Sequence, residues 1–174
     1  VGSSFPLASL TTDAGGTTAV NGGAVTTTGV QAYNDAVTLS VAGTLGSTAN
    51  AAISFAVTVN GPGALAVNTT GATTFAGAVG GATALASLTT NAGGTTAVNG
   101  GSVTTTGAQN YGDPVTVNAD TTFDGVAIGF GMTLNSLDAT ARAVAVNDSG
   151  VTVFGGAVGS SFPLASLTTD AGGT

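Results

Sequence analysis

The chain has 174 residues and a net charge of −7, with Arg142 as its single cation against eight Asp, and it contains no Glu, Lys, His or Cys. These gaps exclude a Ser–His–Asp triad, a Cys nucleophile, a usual zinc site, a Lys Schiff base, a P-loop and a disulfide framework. They also exclude a nucleic-acid surface, which needs many Lys and Arg to neutralise phosphates.

Charged residues make up 5 % of the chain and Gly fills 29 positions. Helices carry Glu, Lys, Arg, Gln and Leu on their wet faces, so no significant helix is expected. Thr and Val favour extended backbone, Gly and Asn favour turns, and the composition predicts many short strands. Every apolar run is broken well short of the ~18–20 residues a membrane-spanning helix needs, so no membrane insertion is expected in this segment.

In chain order the first feature is "VGSSFPLASLTTDAGGT" at Val1–Thr17, which returns unchanged at Val158–Thr174. The offset of 157 residues predicts one period plus an overlap, a window on a longer tandem array. Next comes "LASLTTDAGGTTAVNGG" at Leu7–Gly23, repeated at Leu85–Gly101 with only Asp13 replaced, by Asn91. Tyr33 and Tyr111, and Asp35 and Asp113, match at the same offset of 78. The expected organisation is one continuous segment over 1–174, with sub-repeats 1–78 and 79–157 and the start of the next period at 158–174.

A fainter level places leading apolar residues at Leu10, Leu39, Leu65 and Leu88, in steps of 29, 26 and 23, and then at Val117, Val144 and Leu167, in steps of 29, 27 and 23. Three units per half, each of roughly 26 residues, predict the coils of an all-β parallel β-solenoid, right-handed by the connection rules. Six such coils at ~4.8 Å each advance roughly 29 Å per period. The predicted inward columns are Leu10–Leu39–Leu65, Val20–Phe55–Phe75 and Val25–Val59–Val79. In "FDGVAIGFGMTLNSLDATARAVAV", Asp138 falls where an apolar residue is expected, which predicts a loop or a register change. A string of immunoglobulin-like sandwiches is the competing fold; the smaller internal repeat and the scarcity of aromatic residues argue against it.

The segments "GGATALASLTTNAGGTTAVNGGSVTTTGAQNYGDPVTV" and "ALAVNTTGATTFAGAVGG" resemble the β-strand-repeat arrays of giant bacterial surface proteins, themselves similar to filamentous-haemagglutinin-like adhesins. The resemblance implies a parallel β-solenoid, an extracellular or cell-surface bacterial location, and a role as fibre, stalk or adhesin. It supplies no catalytic residues.

Asp120, Asp124 and Asp138 are the carboxylates closest to a glycoside-cleaving pair, which must converge at ~5–10 Å; turn-forming and solubilising roles are expected instead. The nonapeptide calcium pattern is absent, Asp13 becomes Asn91, and Asp35 and Asp113 lie three coils apart, about 14 Å, too far to share an ion. The Thr pairs at 17–18, 73–74 and 95–96 place neighbours on opposite faces, unlike a flat ice-binding ladder. Asn21, Asn60, Asn68, Asn99 and Asn147 suit left-handed corners or amide ladders between coils. Tyr33 and Tyr111 are expected over a coil edge, and Arg142 beside Asp138.

No catalytic, cofactor-binding or metal-binding residue is assigned, no cofactor is expected, and an enzyme is the least supported reading. The expected role is a structural filament or stalk segment; the alternative is an adhesin or binding module whose face recognises a surface, a glycan or a neighbouring cell. Open solenoid edges without Lys or caps are expected to be covered by further copies of the repeat stacked end to end, in the same chain or the next subunit. Lateral bundling through Thr- and Gly-rich faces is a second expected contact.

Overall fold

Alternation of Val, Ile and Phe with Thr, Ser and Ala gives strands of two to seven residues whose side chains point alternately inward and outward, as in Ile53–Phe55 and Val115–Val117. The computed structural model, which describes residues 1–172, stacks these strands into three walls around an apolar interior. Every pairing is parallel and no helix occurs among the described residues. The protein is a parallel β-solenoid of about seven coils.

Wall 1 holds Leu10–Thr11, Gln31–Tyr33, Ile53–Phe55, Ala72–Phe75, Thr95–Val98, Val115–Val117 and Leu134–Ser136. Wall 2 holds Thr17–Ala19, Ala36–Thr38 and Val59–Asn60, then Ser102–Thr104, Thr121–Gly125, Arg142–Asp148 and Leu164–Thr169. Single bridges from Val79 to Val59 and to Val103 join its two parts. Wall 3 holds Ala24–Thr27, Gly43–Ser47, Leu65–Asn68, Leu88–Thr90, Gln109–Tyr111, Ile128–Phe130 and Thr152–Phe154. The chain visits walls 1, 2 and 3 in turn.

The coil is shorter than the repeat steps suggest. It averages about 22 residues, and register partners range from 19 apart (Thr96 and Val115) to 24 apart (Val79 and Val103). The leading apolar residues explain the difference, because they lie on different walls. Leu10 is on wall 1, Leu39 directly follows a wall 2 strand, and Leu65 and Leu88 pair on wall 3. The steps of 29 and 26 are therefore one coil plus one wall, and only the step of 23 is a true coil.

The predicted columns are corrected accordingly. Leu10 stacks on Gln31 and Val25 on Leu45, whereas the neighbours Phe55–Phe75 and Val59–Val79 are as expected. Asp138 lies in an exposed loop over 137–140, and the register shifts at Arg142 and Ala143, which agrees with the expected irregularity.

The interior is built from continuous columns. On wall 2, Val37, Val59, Val79, Val103, Phe123 and Val146 follow one another, each 0 % exposed. Each large apolar side chain so buried contributes roughly 1.5–3 kcal/mol. Flat rings stack in register with the backbone: Tyr33–Phe55 at 5.2 Å and Phe55–Phe75 at 5.1 Å on wall 1, then Tyr111–Phe130 at 5.3 Å and Phe130–Phe154 at 5.5 Å on wall 3. Corners are tight. A Cβ on Gly61, whose φ is 127°, would stand 2.1 Å from the Leu39 carbonyl oxygen.

The sequence repeat and the coil are out of step. From Leu10 to Leu88 the chain passes eleven wall positions, Val79 included, which is three and two-thirds coils. From Leu88 to Leu167 it passes eleven more, Val158 included, so a period takes seven and a third coils rather than six. The same Leu-Thr pair thus lies on wall 1 at 10–11, on wall 3 at 88–89 and on wall 2 at 167–168.

Candidate functional site

Buried polar side chains occur in two matching sets. Tyr33 donates its hydroxyl proton to Gln31 Oε1 at 2.9 Å, and Gln31 Nε2 donates to Gly46 O at 2.9 Å and, at 3.3 Å, to Val25 O and Thr27 Oγ1. In the second half Tyr111 donates to Gln109 Oε1 at 2.9 Å, and Gln109 Nε2 donates to Asp124 O at 2.9 Å, Val103 O at 3.2 Å and Thr105 Oγ1 at 3.3 Å. Thr27 and Thr105 pass their own protons to the carbonyls of Gly29 and Gly107. The two tyrosines do not cover a coil edge as expected; they are 0 % and 1 % exposed inside the solenoid. Burial raises both phenol pKa values above the ordinary value of 10.0. Sequence reasoning missed Gln31 and Gln109, although the recurring Thr-Thr-Gly-x-Gln-x-Tyr at 27–33 and 105–111 carries the signal.

The carboxylates are spread over several corners and faces. Asp120 accepts the Ala143 N–H at 2.8 Å, and Asp124 lies on the outer face of wall 2 between Thr104 and Asn147. Four residues apart on one extended segment, Asp120 and Asp124 are about 13 Å from each other, beyond the range of a cleaving pair. Asp138 accepts the Thr140 N–H at 2.8 Å and stands 3.5 Å from Arg142, as expected. The Thr140 bonds, with a contribution from Arg142, hold its pKa below the usual carboxylate value. Arg142 also donates to Asn118 O at 2.8 Å and Asn118 Oδ1 at 3.1 Å, and to Thr140 O.

The repeat-related Asp35 and Asp113 differ. Asp35 accepts the hydroxyls of Thr12 at 2.7 Å and Thr18 at 2.8 Å, and these bonds lower its pKa. Asp113 accepts Gly94 N–H at 2.7 Å and Thr96 Oγ1 at 3.4 Å, but burial dominates and raises its pKa. They occupy different corners, Asp35 between walls 1 and 2 and Asp113 between walls 3 and 1. Among the described residues no group of three or more His, Cys, Asp or Glu could hold a metal ion. Asn99 Oδ1, Asp148 Oδ2 and Thr152 Oγ1 are buried without a hydrogen-bond partner among the described residues.

The five asparagines assigned to corners do not adopt the left-handed conformation; among the described non-glycine residues only Asn50 does, with φ of 63°. Two of them bond between coils instead. Asn21 Oδ1 accepts the Ser40 N–H and hydroxyl, and Asn60 Oδ1 accepts the Ala82 N–H. The Thr doublets split across the wall: Thr73 and Thr96 are 1 % and 0 % exposed, while Thr74 and Thr95 face outward.

Among the described residues the grooves on the outside are shallow. A groove of about 200 Å³ on wall 2 is lined by Asp120, Thr122, Ala143, Ala145, Ser166 and Thr168. At the first coil the interior opens into a cavity of about 180 Å³, whose lining includes Leu10, Val20, Val25 and Tyr33. At the opposite end, Leu164–Thr169 pairs with Arg142–Asp148, and its residues are exposed beyond Leu164. Comparison with protein-family models, with curated proteins and with solved structures gives no match.

Proposed function

We propose that this solenoid is a structural filament or stalk segment of a large bacterial extracellular or cell-surface repeat protein, without catalytic activity. One observation carries the proposal: three walls of parallel strands share one axis through all the described coils, and the repeated Leu-Thr pair lies on each of them. Further copies of the repeat, in the same chain or the next subunit, would extend the same three walls. Backbone bonds between coils run along the axis, so tension is borne by all three walls together.

A second reading, adhesion through an outer face, draws on the wall 2 groove, whose small polar side chains would suit a sugar. Electron microscopy and fibre diffraction of the purified chain separate the two. Filaments that lengthen with protein concentration, with a meridional reflection near ~4.8 Å, support the stalk. A chain that binds oligosaccharide, and that forms no rod even when the period is repeated within one polypeptide, supports the adhesin and removes the stalk.

A further inference from the structure

In a filament of this chain, each copy of the period must sit on the next in some fixed orientation. We propose that successive periods of one tandem polypeptide meet with a rotation of one wall, so that wall 1 of one copy continues wall 2 of the copy before it. The proposal rests on the filament reading above and names the geometry of its joint with a second copy.

Three observations lead there. The period spans twenty-two wall positions, and twenty-two is not a multiple of three. A third of a turn is therefore left over after seven full coils. Second, Leu10–Thr11, Leu88–Thr89 and Leu167–Thr168 already occupy walls 1, 3 and 2 within this one chain, so each wall accepts the same sequence.

Third, the rotated halves keep the same internal chemistry. The Tyr-to-Gln bond is 2.9 Å on wall 1 and 2.9 Å on wall 3, and the Gln-to-carbonyl bond across the coil is 2.9 Å in both. The ring stack that begins at Tyr33 on wall 1 begins again at Tyr111 on wall 3. Rotation therefore disturbs none of these contacts. Face-aligned stacking would require one strand fewer, or two more, per period.

The joint shapes the exterior of a filament. Each half-period moves an outer motif by three and two-thirds coils, about 18 Å, and onto another wall. Three half-periods span eleven coils, about 53 Å, before a motif returns to its starting side. All three sides of such a rod carry the same motifs, staggered. A partner that reads one motif meets it along a spiral, and a flat partner, such as a crystal face, meets no continuous row.

The test uses the absence of native Cys. Thr38→Cys, on the outer face of wall 2, is written once per period into a polypeptide carrying the whole period three times, labelled with gold and imaged by cryo-electron microscopy. The expected labels advance about 35 Å and turn by a third of a circle at each period. Labels in a straight row on an intact rod overturn the rotation and leave the filament reading standing. A string of separate beads removes the filament reading and the rotation together.

Cross-linking of the present chain gives an independent measurement. The pairs Thr11→Cys with Ala32→Cys, Thr89→Cys with Ala66→Cys, and Thr168→Cys with Ala145→Cys are neighbours on walls 1, 3 and 2 and should each form a disulfide on oxidation. Thr11→Cys with Ser40→Cys, separated by the same step as Leu10 and Leu39, should not. Formation of that last pair and failure of the first three would show whole-number coils and overturn the proposal.

Discussion

Tyr111→Phe and Gln109→Met, made singly and together, isolate the bond between two buried side chains that are 1 % and 0 % exposed. Tyr111→Phe leaves Gln109 Oε1 without its donor, and a buried acceptor so orphaned costs about 1–3 kcal/mol. Gln109→Met keeps the volume but orphans the Tyr111 hydroxyl and removes the donor to Asp124 O and Val103 O. Asp124 O still accepts the Thr105 N–H at 2.8 Å, so the expected cost of Gln109→Met is about 2–3 kcal/mol rather than the sum of its bonds. The double variant removes both partners. It should cost no more than Gln109→Met alone, a coupling of at least about 1 kcal/mol. Urea unfolding followed by far-ultraviolet circular dichroism measures the cycle, and tyrosine fluorescence localises it, because Tyr33 and Tyr111 are the only tyrosines and Trp is absent. Additivity within about 0.5 kcal/mol would refute the reasoning.

Above pH 10 the unfolded chain ionises its tyrosines while burial keeps the folded phenols protonated. Their stabilisation is complete below the unfolded pKa and is lost as pH rises toward the folded value. Stability should fall by about 1.4 kcal/mol per pH unit for each tyrosine, and Tyr33→Phe or Tyr111→Phe should halve the combined slope. A slope unchanged in both variants would count against burial as the cause. Acid should act in opposite senses on Asp35 and Asp113. The lowered pKa of Asp35 stabilises the fold above the unfolded carboxylate pKa and is lost as pH falls through the folded value; the raised pKa of Asp113 favours folding at low pH and is lost as pH rises. Asp35→Asn should therefore lower Tm at pH 7 and Asp113→Asn should raise it, with both differences shrinking in acid. Trypsin should leave the native chain intact at Arg142. That side chain is 15 % exposed and held by Asn118, and its strand is paired on both sides. Cleavage should appear only in urea; rapid native cleavage would show that this coil opens locally.

The solenoid was legible in the chain because period-two alternation, Gly-rich corners and nested repeats all point to stacked strands. The coil length was not. Leu10, Leu39 and Leu65 look like equivalent leading residues, but equivalence in sequence lies between walls here, and no composition or spacing rule distinguishes a step of one coil from a step of one coil and a wall. The tyrosines were misplaced for a related reason. A hydroxyl suggests an edge until its partner is known, and Gln31, two residues away on the same inward face, supplies that partner only when the strand is extended. The Arg142–Asp138 pair was readable because it is local in the sequence.

Coils differ in length, and apart from the one-residue shift at Arg142 and Ala143 the walls keep their register, so most of that variation is absorbed at the bends between them. Bends are therefore where such a molecule can accept inserted residues, decorations or tags without altering its cross-section. Lengthening a bend changes what the surface displays, whereas adding one strand to the count would change where everything beyond it faces.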